Sequence, residues 1–200
     1  MSITAADVKA LRDQTGAAMM DCKAALTESE GDVDRAIEIL RVKGQASAAK
    51  REGRGTDEGV VAAYIHANDR VGAMVEVQCE TDFVARNEDF RVFAYEVALH
   101  VAATSPRYVS SEEIPTEERE AEKRVFEEKA REDGKPDNVV EKIVEGQLSK
   151  WASEVALLDQ AHVNADKHDS KSIEELRQEL AAKTGENIRI ARFSYFRVGG

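Results

Sequence analysis

Residues 70–90 have the sequence RVGAMVEVQCETDFVARNEDF, in which the hydrophobic period changes midway. In the first half every second residue is small or apolar, and these residues are Val71, Ala73, Val75, Val77 and Cys79. Such alternation is typical of a β-strand with one buried face. In the second half Asn87 can cap a helix that carries acidic residues in its first turn. The segment therefore predicts a strand, a short connection and a helix.

The regions on either side of this segment predict further strands and helices, and together these predict an α+β fold with a small antiparallel sheet. Residues 60–66, VVAAYIH, supply the first strand of a β-hairpin. Beyond the hairpin, a helical stripe is formed by Phe90, Phe93, Ala94, Val97 and Val101. Residues 117–158 predict a projecting helical hairpin that is broken at GKP. Residues 187–198, NIRIARFSYFRV, predict a terminal strand.

The N-terminal segment, residues 4–43, contains three short helical patterns separated by glycines. Thr4 with Asp7 has the spacing of a capping box, and Asp32 can cap the third helix, which we expect to end at Gly44. A module of about forty residues is near the smallest size at which a core can stabilise itself. The pattern therefore predicts a three-helix module over residues 1–43.

Residues 44–57 lack an apolar stripe and predict a basic linker between this module and an α+β core domain over residues 58–200. Five cations lie in or beside the linker, namely Arg41, Lys43, Lys50, Arg51 and Arg54. Two interpretations stay open. The segment is either a solvated, extended linker or a basic patch that contacts an acidic partner or RNA.

Composition excludes several classes of protein. The chain has 200 residues, of which 42% are hydrophobic, so a wholly disordered protein is excluded. Its net charge of −11 disfavours nucleic acid as a partner. Cys22 and Cys79 show neither a CxxC spacing nor a disulfide framework, so we expect reduced thiols. No apolar run approaches the roughly 18 residues that would cross a bilayer, and we expect a soluble cytoplasmic protein without membrane contact.

The sequence lacks the local motifs of nucleotide binding and of covalent catalysis. Neither GxxxxGK[ST] nor GxGxxG occurs, and neither does GxSxG. His162 and His168 flank Asp166 in HVNADKH and could in principle hold a metal, but they lack the spacing of two ligands on one helix face. We therefore predict an ordinary polar loop there, with no metal site, no cofactor and no direct binding of nucleotide.

The tripeptide Thr81, Asp82 and Phe83 places a carboxylate and a large aromatic side chain between a strand and a helix cap. Two interpretations are open. Asp82 makes a turn and Phe83 packs beneath the next helix, or Phe83 projects as a wedge into a groove of a partner. An exposed Phe forfeits roughly 2 kcal/mol of burial, which favours the second interpretation only if a partner buries it.

Five strings, taken together, resemble the bacterial elongation factor Ts family, the guanine-nucleotide exchange factors of elongation factor Tu. They are VKALRDQTGAAMMDCKAALTESEGDVDRAIEILRVKG, CETDFVARNEDF, HVAATSPRYV, GKPDNVVEKIVEGQL and TGENIRIARF. The similarity covers essentially the whole chain, and its length resembles the short form of the family, with one core subdomain. The resemblance implies a ubiquitin-associated-like N-terminal module that docks on the nucleotide-binding domain of elongation factor Tu. It also implies a factor that promotes GDP release without covalent chemistry.

The resemblance also assigns candidate residues. It places the exchange wedge at Thr81, Asp82 and Phe83. It places partner contacts at Lys9, Arg12, Met19, Met20, Lys23, Gly72, Val84, Arg86, His100 and Val163. From the residues alone, Met19 and Met20 could equally be core, and so could His100. The adaptor alternatives, a ubiquitin-binding or an RNA-binding protein, also stay open at this point.

Two segments depart from the family pattern. The family often has Pro-Phe where this chain has Ala161 and His162. Some short members carry a cysteine in the last strand that links two subunits, whereas this chain has Ser194 in RFSYF. The resemblance therefore implies that any homodimer formed through the terminal strand and sheet is noncovalent.

Overall fold

The structure, a computed structural model, describes residues 3–199, apart from the side chains of Gln45, Asp137 and Asn138. Over these residues the chain is α+β, with nine helices and one small antiparallel sheet of strand order β1-β2-β3. In chain order the elements are α1 (Ala5–Thr15), α2 (Met19–Glu28), α3 (Val33–Ala49), β1 (Glu58–Ile65), β2 (Val71–Cys79), α4 (Asp82–Ala85), α5 (Glu88–Thr104), α6 (Thr116–Glu132), α7 (Asp137–Val155), α8 (Ala165–His168), α9 (Ile173–Thr184) and β3 (Arg189–Arg197).

The chain divides into two compact units, and each is described by itself. The first unit comprises Met1–Val60, Val77–Phe93 and Glu175–Arg189. The second unit comprises Val61–Glu76, Ala94–Glu174 and Ile190–Gly200.

Helices α1, α2 and α3 form the expected three-helix module. The Thr4 hydroxyl accepts a hydrogen bond from the Asp7 N–H, and the Asp7 carboxylate accepts one of 2.9 Å from the Thr4 N–H, so the predicted capping box is confirmed. The module has its own small core, which consists of Val8, Leu11, Cys22, Ala25, Leu26, Ala36 and Leu40. Cys22 is therefore a core thiol of this module.

Helix α3 is longer than the sequence predicts. The prediction that Gly44 ends the helix is wrong, because α3 continues to Ala49 and includes the first part of the predicted linker. The residues that follow Gly44 include Ala46, Ala48 and Ala49, which are strong helix formers, and Ala48 is buried. A glycine in a helix interior costs only about 1 kcal/mol, which this run of alanines and its packing offset.

The β1–β2 hairpin and the buried face of β2 are confirmed. Ala73, Val75, Val77 and Cys79 are all buried in β2. Strand β3 pairs with β2 on the other side, in a register that brings Arg192 within 2.6 Å of Glu76 on the outer face. Four exposed apolar side chains share that outer face, and they are Val61, Ile65, Met74 and Phe196.

The predicted helices after the hairpin are also present. The stripe of α5 is buried at each predicted position from Phe90 to Val101. Helices α6 and α7 pack together around Ala130, Val140 and Val144, with Gly134 in a left-handed conformation (φ 69°) between them. Within residues 3–199, no helix has the length and apolar character needed to cross a membrane.

Candidate functional site

Thr81, Asp82 and Phe83, called here the wedge segment, lie where β2 ends and the single helical turn α4 begins. The side chain of Phe83 is 83% exposed, the largest exposed fraction among the large apolar side chains that the structure describes. The interpretation that Phe83 packs beneath the next helix is therefore wrong. A largely exposed aromatic ring on a fixed turn is instead suited to insertion into another protein.

The carboxylate of Asp82 also faces solvent. It lies 3.0 Å from Arg86, one helical turn further on; the Asp82 side chain is about half exposed and the Arg86 side chain is largely exposed. Exposed ion pairs of this kind contribute at most about 1 kcal/mol, so a partner can displace Arg86 at little cost. Thr81, not Asp82, caps the turn, since its hydroxyl faces the Val84 N–H at 3.5 Å.

The wedge segment is held by Glu186, which lies in the connection between α9 and β3. The Oε2 atom of Glu186 accepts hydrogen bonds from the backbone N–H groups of Glu80 (3.0 Å) and Thr81 (3.1 Å). Its Oε1 atom accepts a 2.6 Å hydrogen bond from the Thr81 hydroxyl. Glu186 carries no local signal in the sequence: it follows a helix stop in TGEN, and nothing there indicates a contact with residue 81.

The candidate contacts of the N-terminal module all lie on its surface. They are Lys9, Arg12, Met19, Met20 and Lys23, and each of these side chains is exposed. Met19 is 44% exposed and Met20 is 71% exposed, so their interpretation as core residues is wrong. The inward side of α2 is formed instead by Cys22, Ala25 and Leu26.

In the second unit, His100 and Val163 are brought together although 63 positions separate them. The Nδ1 atom of His100 accepts a 3.0 Å hydrogen bond from the Val163 N–H, so the neutral ring carries its proton on Nε2, which donates to Gln160 at 2.8 Å. Burial lowers the pKa of His100 to about 4. The ring has no exposed surface, so His100 holds Val163 in place while Val163, 47% exposed, faces outward.

Gly72, also in the second unit, lies near the start of β2. A Cβ atom at this position would come within 3.4 Å of the Tyr64 carbonyl oxygen on the neighbouring strand. Gly72 is half-buried, and a side chain at this position would contact the neighbouring strand of the hairpin.

A second cluster joins His162 and His168 to Glu96 of α5. The Nε2 atoms of the two rings lie 3.4 Å and 2.9 Å from Glu96 Oε2, and Lys167 lies 2.5 Å from Oε1. Among the described residues, the side chains of Glu96, His162 and His168 form the group that could hold a metal ion. The prediction of an ordinary polar loop is wrong here, because His162 is only 2% exposed and the loop includes α8.

The hydrogen bond that His162 accepts on Nδ1 favours a cluster of hydrogen bonds and ion pairs around Glu96 over a metal site. Its Nδ1 accepts a 3.1 Å hydrogen bond from the Asn164 N–H, so the proton of the neutral ring lies on Nε2, the atom that faces Glu96. Ligation by Nε2 would require moving that proton to Nδ1 and breaking this bond. Burial alone would raise the pKa of Glu96, but hydrogen bonds from Lys167 and His168 outweigh it and lower that pKa, so the carboxylate is charged and already paired.

Three cations in or beside the basic linker have carboxylate partners within the first unit. Arg41 pairs with Glu175, Lys43 lies 2.7 Å from Glu28, and Arg54 lies 3.3 Å from Glu80. A patch that binds RNA needs cations that are free to displace counterions. These pairings therefore favour a structural role for the segment.

Comparison with known proteins gives one consistent result. A family model described as Elongation factor TS matches residues 3–169. A protein named Elongation factor Ts from Geobacter sulfurreducens is 49% identical over 199 residues, which cover all of this chain and 91% of that protein. Proteins of the same name from Herpetosiphon aurantiacus and Thermotoga neapolitana are 51% and 50% identical, with 99% and 95% of their lengths covered. The chain therefore belongs to the elongation factor Ts family, which makes it a translation elongation factor.

Proposed function

We propose that this chain promotes release of GDP from elongation factor Tu, by binding the nucleotide-free form of that protein more tightly than its nucleotide-bound form. The observation that carries the proposal is Phe83, 83% exposed at the tip of a tightly held turn. Family membership supplies the partner. No covalent bond is made or broken, so the chain is an exchange factor and not an enzyme in the usual sense.

The wedge segment performs the exchange. Phe83 enters between helices of the partner and is buried there, which recovers the roughly 2 kcal/mol forfeited by its exposure. Asp82 and the adjacent backbone then disturb the loops that hold Mg²⁺ and the β-phosphate. Because the metal ion neutralises the charge of the diphosphate, its loss weakens GDP binding. GTP enters next and expels the factor.

Other surfaces supply affinity. The exposed methionines and cations of the N-terminal module contact the nucleotide-binding domain of the partner, since Met side chains adapt readily to a second surface. Val84 and Arg86 extend the wedge contact. In the second unit Val163 makes an outer contact while the buried His100 holds it in place. These contacts position the wedge without themselves displacing nucleotide.

The outer face of the sheet binds a second copy of this chain. Val61, Ile65 and Phe196 are each more than 60% exposed there, and Met74 lies beside them. A short member of the family has one core subdomain, and two copies would reproduce the doubled contact surface of the long form. The same face on both copies is self-complementary, as a two-fold dimer requires. The dimer is noncovalent because both cysteines are buried.

Calorimetric titration of elongation factor Tu with this chain tests the proposal. The nucleotide-free form should bind at least about a hundredfold more tightly than the GDP-loaded form, a difference of about 2.7 kcal/mol. Equal affinity for the two forms would contradict the proposal, because a ligand without a preference shifts no equilibrium. Titration with ubiquitin is the control, and binding there would favour an adaptor.

A further inference from the structure

We infer that Glu186 is a positioning residue for the wedge segment, and that its carboxylate sets how rigidly Phe83 is presented to the partner. The inference rests on the proposed exchange function. It adds a residue that lies outside the wedge segment, 103 positions after Phe83 in the sequence, and that acts through Thr81.

The wedge segment requires an anchor of this kind. Helix α4 contains only the four residues Asp82–Ala85. A single turn is unstable by itself, because helix nucleation fixes several backbone angles for one hydrogen bond. Phe83 adds little, since a side chain that is 83% exposed makes few contacts within its own chain. The conformation of the segment therefore depends on contacts from elsewhere in the first unit.

Glu186 supplies three of these contacts with one side chain. Its two carboxylate oxygens accept from two successive backbone N–H groups, those of Glu80 and Thr81, and from the Thr81 hydroxyl. Hydrogen bonds to a charged acceptor are stronger than those between neutral groups. The backbone is thus fixed immediately before α4 begins.

Glu186 is itself held in place by a reciprocal contact. The carboxylate of Glu80 accepts a 2.6 Å hydrogen bond from the Asn187 N–H. The connection after β2 and the connection before β3 therefore each bind the backbone of the other with a carboxylate. The side-chain amide of Asn187, only 5% exposed, donates to the carbonyl oxygens of Glu52 (3.3 Å) and Arg54 (3.0 Å). Three chain segments are therefore joined around the base of the wedge segment.

This arrangement predicts a particular kinetic effect. A flexible wedge would still reach the partner, but only a fraction of encounters would place the ring correctly. Misplacement of a reacting or displacing group by about 1 Å can cost about a hundredfold in rate. Loss of the Glu186 contacts should therefore lower the maximal release rate of GDP more than it changes the half-saturating concentration of the factor.

A double-mutant cycle on GDP release from elongation factor Tu tests the inference. Full-length chains carrying Glu186→Ala, Phe83→Ala or both are compared at saturating concentration, after thermal melting has shown them to be folded. Glu186→Ala should lower the maximal rate about 10- to 30-fold in the wild-type background, no more than Phe83→Ala itself, and less than about twofold in the Phe83→Ala background. Glu145→Ala, an exposed carboxylate of α7, is the matched control.

Two further variants separate positioning from a general structural effect. Glu186→Gln keeps one oxygen for the two backbone N–H groups and an amide group that can donate to Thr81, so it should retain most of the acceleration. Thr81→Val removes the hydroxyl, which both donates to Glu186 and caps α4, but it keeps the two backbone hydrogen bonds to Glu186. It should therefore lower the rate less than Glu186→Ala does, and it keeps the test available if the latter fails to fold.

The outcomes are distinguishable. Equal losses from Glu186→Ala in both backgrounds, or a Glu186→Gln chain as slow as Glu186→Ala, would overturn the positioning role. If Phe83→Ala itself releases GDP at the wild-type rate, the proposed wedge function fails instead.

Discussion

The Thr81 hydroxyl donates a 2.6 Å hydrogen bond to Glu186, 105 positions later in the chain. The contact joins the connection after β2 to the connection before β3. Since α4 is one turn long, local helix propensity does not hold the wedge segment by itself, and we propose that this tertiary contact sets where Phe83 points. On that proposal, the exposed side chain of Phe83 is held by residues that themselves need not touch the partner.

Replacement of Phe83 should impair exchange without affecting folding. Phe83→Ala removes an exposed ring, so the free energy of unfolding should change by less than about 0.5 kcal/mol. The maximal GDP release rate should fall about 30-fold, which corresponds to the roughly 2 kcal/mol expected of a residue at the centre of an interface. The measurements are urea unfolding and stopped-flow release.

The matched control for this variant is Val125→Ala, which removes a 55% exposed apolar side chain from α6. It should leave both stability and release unchanged. A Phe83→Ala chain that releases GDP as fast as the Val125→Ala chain would rule out the wedge role.

Variants of the N-terminal module should show the opposite kinetic pattern. Met20, 71% exposed, is proposed to contribute affinity only. Met20→Ala should therefore raise the half-saturating concentration about fivefold to tenfold, equivalent to about 1 kcal/mol, and leave the maximal rate within about twofold. A fall in the maximal rate at full saturation would show that the module takes part in displacing nucleotide.

The buried ring of His100 should make stability depend on pH. Burial lowers its pKa to about 4, whereas the unfolded chain takes up the proton near the ordinary value of 6.5. The unfolded state therefore binds more protons between these values, so stability is lost as the pH falls through this range. Between pH 7 and pH 5 the loss should be about 2 kcal/mol relative to His100→Gln, measured by urea unfolding. A constant difference between the two chains would show that the ring is protonated as easily in the folded state.

Neither cysteine should react in the folded chain. Cys22 and Cys79 have no exposed surface, and burial raises the pKa of the Cys79 thiol to about 11, with a smaller contribution from the charge of Glu186. Since the thiolate is the nucleophile, alkylation by iodoacetamide at pH 8 should be at least about a hundredfold slower than in urea. Mass spectrometry of the alkylated chain measures this, and rapid labelling of Cys79 without denaturant would contradict its buried position.

The outer face of the sheet should determine the oligomeric state. Phe196→Glu places a charge in an apolar surface, and burial of an unpaired charge is strongly unfavourable. Sedimentation should show a dimer for the unchanged chain and a monomer for this variant, with thermal unfolding monitored as a check on the fold. A monomer in both cases would mean that the face serves another partner or none.

The sequence predicts the elements of this fold well, because their signals are local. The alternation along β2, the apolar stripe of α5 and the capping box at Thr4 each depend on spacing within a few residues, and each prediction is confirmed. The prediction that α3 ends at Gly44 is wrong, because a helix interior tolerates this glycine when the alanines after it favour the helix and pack.

The candidate site likewise has features that the sequence predicts and features that it does not. The wedge segment is recognisable from its sequence, but the exposure of Phe83 is not, since the same pattern is typical of a ring packed beneath a helix. Glu186, 105 positions from Thr81, and Glu96, far from His162 and His168, carry no local signal. The sequence leaves the burial of His100 open, and the hydrogen bond that fixes its ring, to Val163, joins two distant segments.

The proposed exchange function is tested most directly by the dissociation rate of fluorescent GDP from elongation factor Tu, mixed with excess unlabelled GDP and increasing concentrations of this chain. We expect a rate that rises with concentration to a plateau on the order of a hundredfold or more above the spontaneous rate. A rate that stays at the spontaneous value at every concentration, while the two proteins demonstrably bind, would contradict it.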